Sequence, residues 1–90
     1  MVTRELTIVN KLGLHARPAA MFVKVSSAWD AEVVVEKDDE QVNGKSIMGL
    51  MMLAAGCGAK ITVTAEGKDE VAVMTRLEEL VNGGFTEGGK

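Results

Sequence analysis

The chain is poor in the residues from which most specialised sites are built. It has one cysteine (Cys57), one histidine (His15), one proline (Pro18), one tryptophan and no tyrosine. A lone cysteine excludes an internal disulfide, and one histidine without a second thiol excludes a zinc site made of thiolates and imidazoles. Cys57 therefore reads as a reduced thiol in a cytoplasmic protein. Aromatic residues make up 3% of the chain, so the stacking platforms of single-strand binders are missing. A basic excess is missing as well. Ten Lys and Arg stand against thirteen Asp and Glu, a net charge of −3, which argues against nucleic acid as a partner. The opening MVTRELTIVN scatters charges among its apolar residues and is neither a signal peptide nor a membrane span, so no membrane insertion is expected. There is no repeat, low-complexity tract or linker. Ninety residues suit one domain over 1–90, burying roughly two thirds of the unfolded chain's surface in one modest core.

That core must come from Val, Ile, Leu, Met and Ala, because hydrophobic residues are 47% of the chain. In TRELTIV, residues 3–9, Leu6 and Ile8 alternate with Glu5 and Thr7, the pattern of a half-buried strand. NKLGLH, 10–15, is a loop. From Ala16 the period changes: Ala19, Phe22, Val23 and Ser26 recur at helical spacing, and the helix should end near Ser27–Trp29. EVVVE, 32–36, is a β-branched strand, Asp38-Asp39 a tight turn, and EQVN, 40–43, an outer strand. After NGKS, the run IMGLMMLAA predicts a short helix stopped by GCG at 56–58. KITVTAE, 60–66, alternates with Ile61, Val63 and Ala65 inward. Asp69 can cap a last helix beginning at Glu70, with Val73, Met74, Leu77, Leu80 and Val81 as its apolar stripe and Gly83-Gly84 as its end. This order of elements, βαββαβα, packs most economically as a four-stranded sheet covered on one face by helices, with the second and third strands an antiparallel hairpin.

The lone histidine stands in Gly13-Leu14-His15-Ala16-Arg17-Pro18, just before the first helix. The N–H groups of a first helical turn have no intrahelical partner, and the positive end of the helix dipole lies behind them, so they form an anion site. Pro18 sits where a missing N–H costs nothing and fixes the turn. Ala16 and Arg17 are then the free backbone donors closest to the imidazole. The Arg17 guanidinium can bind phosphate through a two-bonded fork. An unperturbed imidazole titrates at about 6.5, so at neutral pH it is a ready nucleophile without a partner base. A lone histidine near a helix start is more often a surface residue or a cap. The glycine before it, with the arginine and proline after it, shifts the reading toward a group carrier. Nothing else in the chain completes a catalytic triad.

Gly13-Leu14-His15-Ala16-Arg17-Pro18-Ala19-Ala20 resembles the active-site segment of the HPr family, the histidine phosphocarriers of the bacterial phosphoenolpyruvate-dependent phosphotransferase system. Chain length, element order and a second motif extend the resemblance over nearly the whole sequence. It implies an open-faced β-sandwich of α+β class, a four-stranded antiparallel sheet with three helices on one face. It also implies that His15 takes a phosphoryl group on Nδ1 from phosphorylated Enzyme I and passes it to a histidine of Enzyme IIA. Arg17 and the Ala16 N–H would steady that group. The protein would be a carrier and not an enzyme, a monomer, with no cofactor or metal.

The second motif is Asn43-Gly44-Lys45-Ser46-Ile47. A Walker A reading of GKS fails, because Asp39 stands where the first glycine is required. Ser46 instead opens the second helix. Locally it is an N-cap; a phosphate there would add about −1.5 to −2 charges, which the helix end tolerates. NGKSI resembles HPr proteins controlled by HPr kinase/phosphorylase, in which the modification impedes transfer from Enzyme I and can create a surface for a transcriptional regulator. The ending GFTE resembles the nitrogen-related branch of the family instead, and both branches stay open.

A carrier must bind donor and acceptors in turn. Leu50, Leu53 and Ala54 are expected to face the core, leaving Met48, Met51 and Met52 on another side as an adaptable surface. The family resemblance implies Ala20, Lys24, Ile47, Met48 and Met51 as partner contacts. Two rivals are a regulatory binding protein acting through Ser46 without phosphotransfer, and a small acylphosphatase-like hydrolase. The second lacks an arginine-bearing anion loop with a water-positioning amide, and it leaves GLHARP unexplained.

Overall fold

A computed structural model describes residues 1–85. The elements in chain order are β1 (Val2–Thr7), α1 (Ala16–Ser26), β2 (Glu32–Lys37), β3 (Glu40–Asn43), α2 (Ile47–Met52), β4 (Lys60–Glu66) and α3 (Glu70–Asn82). The four strands form one sheet in the order β1-β4-β2-β3, every neighbouring pair antiparallel. Each helical connection from strand to strand therefore joins two strands of the same direction and leaves one strand between them: β1-α1-β2 spans β4, and β3-α2-β4 spans β2. The connection leaving β1 and the one entering β4 consequently meet at one end of the β1-β4 pair, where Thr7 is paired with Lys60.

Alternation sets the two faces of the sheet. Ile61, Val63 and Ala65 of β4 and Val33 and Val35 of β2 are buried, while Thr62, Thr64 and Val34 between them are half-buried on the open side. The helices cover the buried face with Ala19 and Phe22 of α1, Leu50 of α2, and Val73, Leu77 and Val81 of α3. Asp38 and Asp39 both take positive φ, 52° and 69°, as a two-residue hairpin turn requires.

Four expectations need correction. β1 ends at Thr7; Ile8 is buried beyond it and Val9 is exposed. α2 ends at Met52, not at the Gly56-Cys57-Gly58 stop, because Ala54 turns into the left-handed region at φ 53°. Ala54 is exposed as a result, and Ala55 takes its place in the core. Asp69 makes no side-chain cap for α3; its carboxylate instead accepts the Asp30 N–H at 3.0 Å. Phe85, which the sequence pattern does not assign to the core, is fully buried just past α3, its N–H donating to Leu80 O at 2.9 Å. Of the GFTE ending, residues 86 and 87 lie outside the described residues.

Candidate functional site

His15 is the N-cap of α1. Its backbone is extended (φ −83°, ψ −167°), its carbonyl accepts the Ala19 N–H at 2.9 Å, and its side chain makes no capping bond and is exposed. Ala16 and Arg17 occupy the first two helical positions, where backbone N–H groups have no carbonyl of the helix to reach. Pro18 follows, buried, with no N–H to satisfy. No acidic residue stands in the first turn to neutralise the positive helix end. His15 thus immediately precedes these free donors at the positive end of α1, and Arg17, two residues on, is exposed like it.

The loop before His15 is held from below. Asn10 and Gly13 close a turn, with the Gly13 N–H donating to Asn10 O at 3.2 Å. Gly13 adopts φ +70° and lies so close to the connection after α2 that an added Cβ would stand 2.3 Å from Ala55 O and 2.7 Å from Gly56 Cα. The Leu14 N–H donates to Ala55 O at 2.9 Å, and Ile8 exchanges backbone bonds with Ala59 and Gly58. The end of α2 at Met52, followed by the left-handed turn at Ala54, is what brings the Ala55 carbonyl to Leu14. Around it a shallow depression of about 320 Å³ is lined by Leu12, Leu14, His15, Met51, Ala54, Ala55 and Gly56.

One continuous exposed face surrounds the imidazole. Ala16, Ala20 and Lys24 are exposed and spaced four apart, a single stripe leading away from His15 along α1. Packed beside it, α2 exposes Ile47, Met48, Met51 and Met52, with Met48 73% accessible. The candidate contacts Ala20, Lys24, Ile47, Met48 and Met51 are thus all on the surface, and Met51 alone of them shares the depression with His15. Leu12, 70% accessible at the tip of the Asn10–Gly13 turn, was missed by sequence reasoning. A signal was present in the charges. No Asp or Glu lies between Leu6 and Trp29 or between Gln41 and Ala65, and these segments carry Lys11, Arg17, Lys24, Lys45 and Lys60. Within a chain of net charge −3, the elements bearing His15 and α2 are therefore cationic.

Ser46 is the N-cap of α2. Its Oγ accepts the Gly49 N–H at 2.9 Å, and its own N–H donates to Asn43 O at 3.0 Å. It is half-buried and lies at the far end of α2 from Met51, about 8 Å along the helix axis at the usual rise. Ser46 and His15 are thus at separate places, each opening a different helix. Among the described residues no helix is long and apolar enough to cross a membrane.

The family profile described as the PTS HPr component phosphorylation site matches residues 2–83. The chain is 50% identical over 88 residues to the phosphocarrier protein HPr of Neisseria meningitidis serogroup A, covering 98% of this chain and 99% of that one. The crystal structure of HPr from Thermoanaerobacter tengcongensis superposes with a TM-score of 0.93 at 42% identity, covering 100% of this chain and 99% of that one. Crh of Bacillus subtilis, described as a catabolite repression protein crystallised as a swapped, intertwined dimer, superposes at 0.76 with 40% identity, covering 97% of this chain and all of its own. The matched segment takes in His15 and Ser46 alike, and the chain belongs to the HPr family of phosphocarriers of the phosphotransferase system.

Proposed function

We propose that the protein carries a phosphoryl group on His15 Nδ1, taken from phosphorylated Enzyme I and delivered to a histidine of an Enzyme IIA. The observation that carries this reading is an exposed imidazole at the N-terminus of α1, next to two unpaired backbone donors and an exposed arginine, with no acid in the first turn. In the transfer, the neutral imidazole nitrogen attacks phosphorus. The new N–P bond forms as the donor's N–P bond breaks, and the donor histidine leaves as a neutral imidazole. The Ala16 and Arg17 N–H groups and the Arg17 guanidinium then face the phosphoryl oxygens. The step is close to an exchange of like for like, so the group stays transferable, and it calls for no metal or cofactor in this chain.

The whole chain, 1–90, acts as a single domain, monomeric and cytoplasmic, with neither nucleic acid nor membrane among its partners. Enzyme I and IIA domains dock on Ala20, Lys24, Ile47, Met48 and Met51, joined by Leu12 and Met52. The lysines and arginine of this face fit acidic partner surfaces. Phosphorylation of Ser46 by HPr kinase/phosphorylase adds charge to the edge of that face and impedes docking of Enzyme I. It also presents a new surface to a transcriptional regulator.

The test is phosphorylation of the purified protein by phosphoenolpyruvate, magnesium and Enzyme I, beside a His15→Ala control. Acid-labile phosphate on the native protein alone is the expected result; none on either protein would overturn the reading. The likeness to Crh favours a second reading, a regulator acting through Ser46 without transfer. A His15→Ala protein that kept every cellular activity would select it. Relay to nitrogen-related acceptors in place of sugar-transport ones is a variant of the first reading, separated by which IIA accepts the phosphate.

A further inference from the structure

Near the nucleophile, one side chain has its hydrogen bonding half made. Asn10 donates from Nδ2 to Gly13 O at 2.8 Å, while its Oδ1 is buried with no partner among the described residues. An orphaned buried acceptor weakens a fold, so an asparagine here is a poor choice for stability alone. What the residue supplies is the donor, and the donor has a specific target. Gly13 O is also the acceptor of the His15 N–H at 2.9 Å. The same peptide group, Gly13–Leu14, is held at its other end by the Leu14 N–H bond to Ala55 O at 2.9 Å. A peptide group is planar, so these three bonds together fix its rotation. Its carbonyl in turn sets where the chain enters His15, one residue before the helix whose first N–H groups must face the phosphoryl group.

We infer that Asn10 is a positioning residue for His15: through Gly13 O it holds the peptide plane that aims the imidazole relative to the N-terminus of α1. This rests on the phosphocarrier reading for its biological meaning, but the alignment itself can be measured without it. Asn10→Asp keeps the shape and replaces the donor with a carboxylate that repels the Gly13 carbonyl. Asn10→Ala removes the donor and the orphaned oxygen together, and is expected to be at least as stable as the native chain.

The experiment measures His15 phosphorylation by two donors. The first is Enzyme I with phosphoenolpyruvate. The second is phosphoramidate alone, which transfers its phosphoryl group to the imidazole as its own P–N bond breaks and ammonia leaves. Both folded variants are expected to be slowed about tenfold with either donor, a fraction of the hundredfold that a misplacement of about 1 Å can cost. With Enzyme I the loss should fall on kcat and leave KM in place. Slowing with Enzyme I only, or in KM only, would make Asn10 a docking residue and overturn the proposal. Native rates in the variants would overturn it too, and failure of both variants to fold would mark a structural residue and do the same. If the native protein accepts phosphate from phosphoramidate but not from Enzyme I, the carrier reading fails, while the variants' phosphoramidate rates still decide the role of Asn10.

Discussion

The buried hydroxyl of Ser26 donates to the carbonyl of Gly44 at 2.7 Å, joining the last turn of α1 to the loop that leads into Ser46. Ser26 is fully buried, and Gly44 is pressed so closely on β2 that an added Cβ would stand 2.4 Å from Val33 Cγ1. Water has no ready access to replace the bond. Ser26→Ala should therefore leave Gly44 O unpaired and cost about 1–3 kcal/mol. Urea unfolding, with an unchanged slope and a lower midpoint, checks it.

Gly13 stands at the other junction of the two connections. With φ +70° and the Ala55 carbonyl 2.3 Å from any Cβ, a side chain meets both backbone strain and a backbone atom that cannot swing aside. Gly13→Ala is expected to lose roughly 3 kcal/mol. Because the strain is released by parting Leu14 from Ala55, the variant should also phosphorylate more slowly at His15 than its residual stability explains, measured at a temperature where it is folded.

These two junctions show what the sequence could and could not tell. The strands at 40–43 and 60–66 were legible to the residue, because alternation and flanking turn residues are local signals. So were the start of α1 and the cationic, proline-fixed turn that marks His15. The end of α2 was not. Leu53-Ala54-Ala55 favours helix by composition, and the helix stops there only because Ala55 must meet Leu14, a contact about forty residues away in sequence. Asp69 looked like a cap and instead holds Asp30, again a tertiary demand. Phe85 lies past two glycines, outside any periodic stripe, so only the fold reveals it as core. Among the candidate site residues, His15 and Ser46 are marked in the sequence by helix-start chemistry, and both are N-caps in the structure. The half-satisfied Asn10 could not, since its meaning lies in which carbonyl it reaches.

Ala54 bears the cost of that early stop. At the first position past the α2 cap it sits at φ 53°, where glycine is the usual occupant. A left-handed alanine costs roughly 1–2 kcal/mol, while glycine gives back about 0.5–1 kcal/mol in unfolded-chain entropy. Ala54→Gly should therefore stabilise the protein by about 0.5–1 kcal/mol, seen as a raised urea midpoint. His15 phosphorylation should stay at the native rate, because the backbone path is unchanged.

At the opposite end of the sheet, the Glu70 carboxylate accepts the N-terminal ammonium at 2.9 Å and the Gly67 N–H at 3.0 Å. The ammonium bond first, then the Gly67 bond, hold its pKa below the ordinary 4.5. A carboxylate lowered on folding contributes stability above its unfolded value and loses it as pH falls through the folded one. Thermal stability should thus decline as pH drops below about 4.5, and Glu70→Gln should flatten that decline. Blocking the terminal amine by acetylation should flatten it as well, since the leading cause is removed.

Ser46 offers the sharpest separation of stability from function. Its Oγ caps α2 through the Gly49 N–H, so Ser46→Ala should cost about 1 kcal/mol. Ser46→Asp retains an acceptor at the cap and puts negative charge at the favourable helix end, so its stability should match the native protein. Its new charge, however, lies on the face whose neighbouring lysines and arginine carry no compensating acid. An acidic partner should then approach less readily. Phosphorylation by Enzyme I is expected to slow about tenfold, expressed in KM and partly restored by salt, because the cost is electrostatic and screened. Reaction of His15 with phosphoramidate should remain native, since Ser46 is a helix away from the imidazole. A Ser46→Asp protein slow with both donors would place the effect at His15 itself, and one slow with neither would remove Ser46 from the control of transfer.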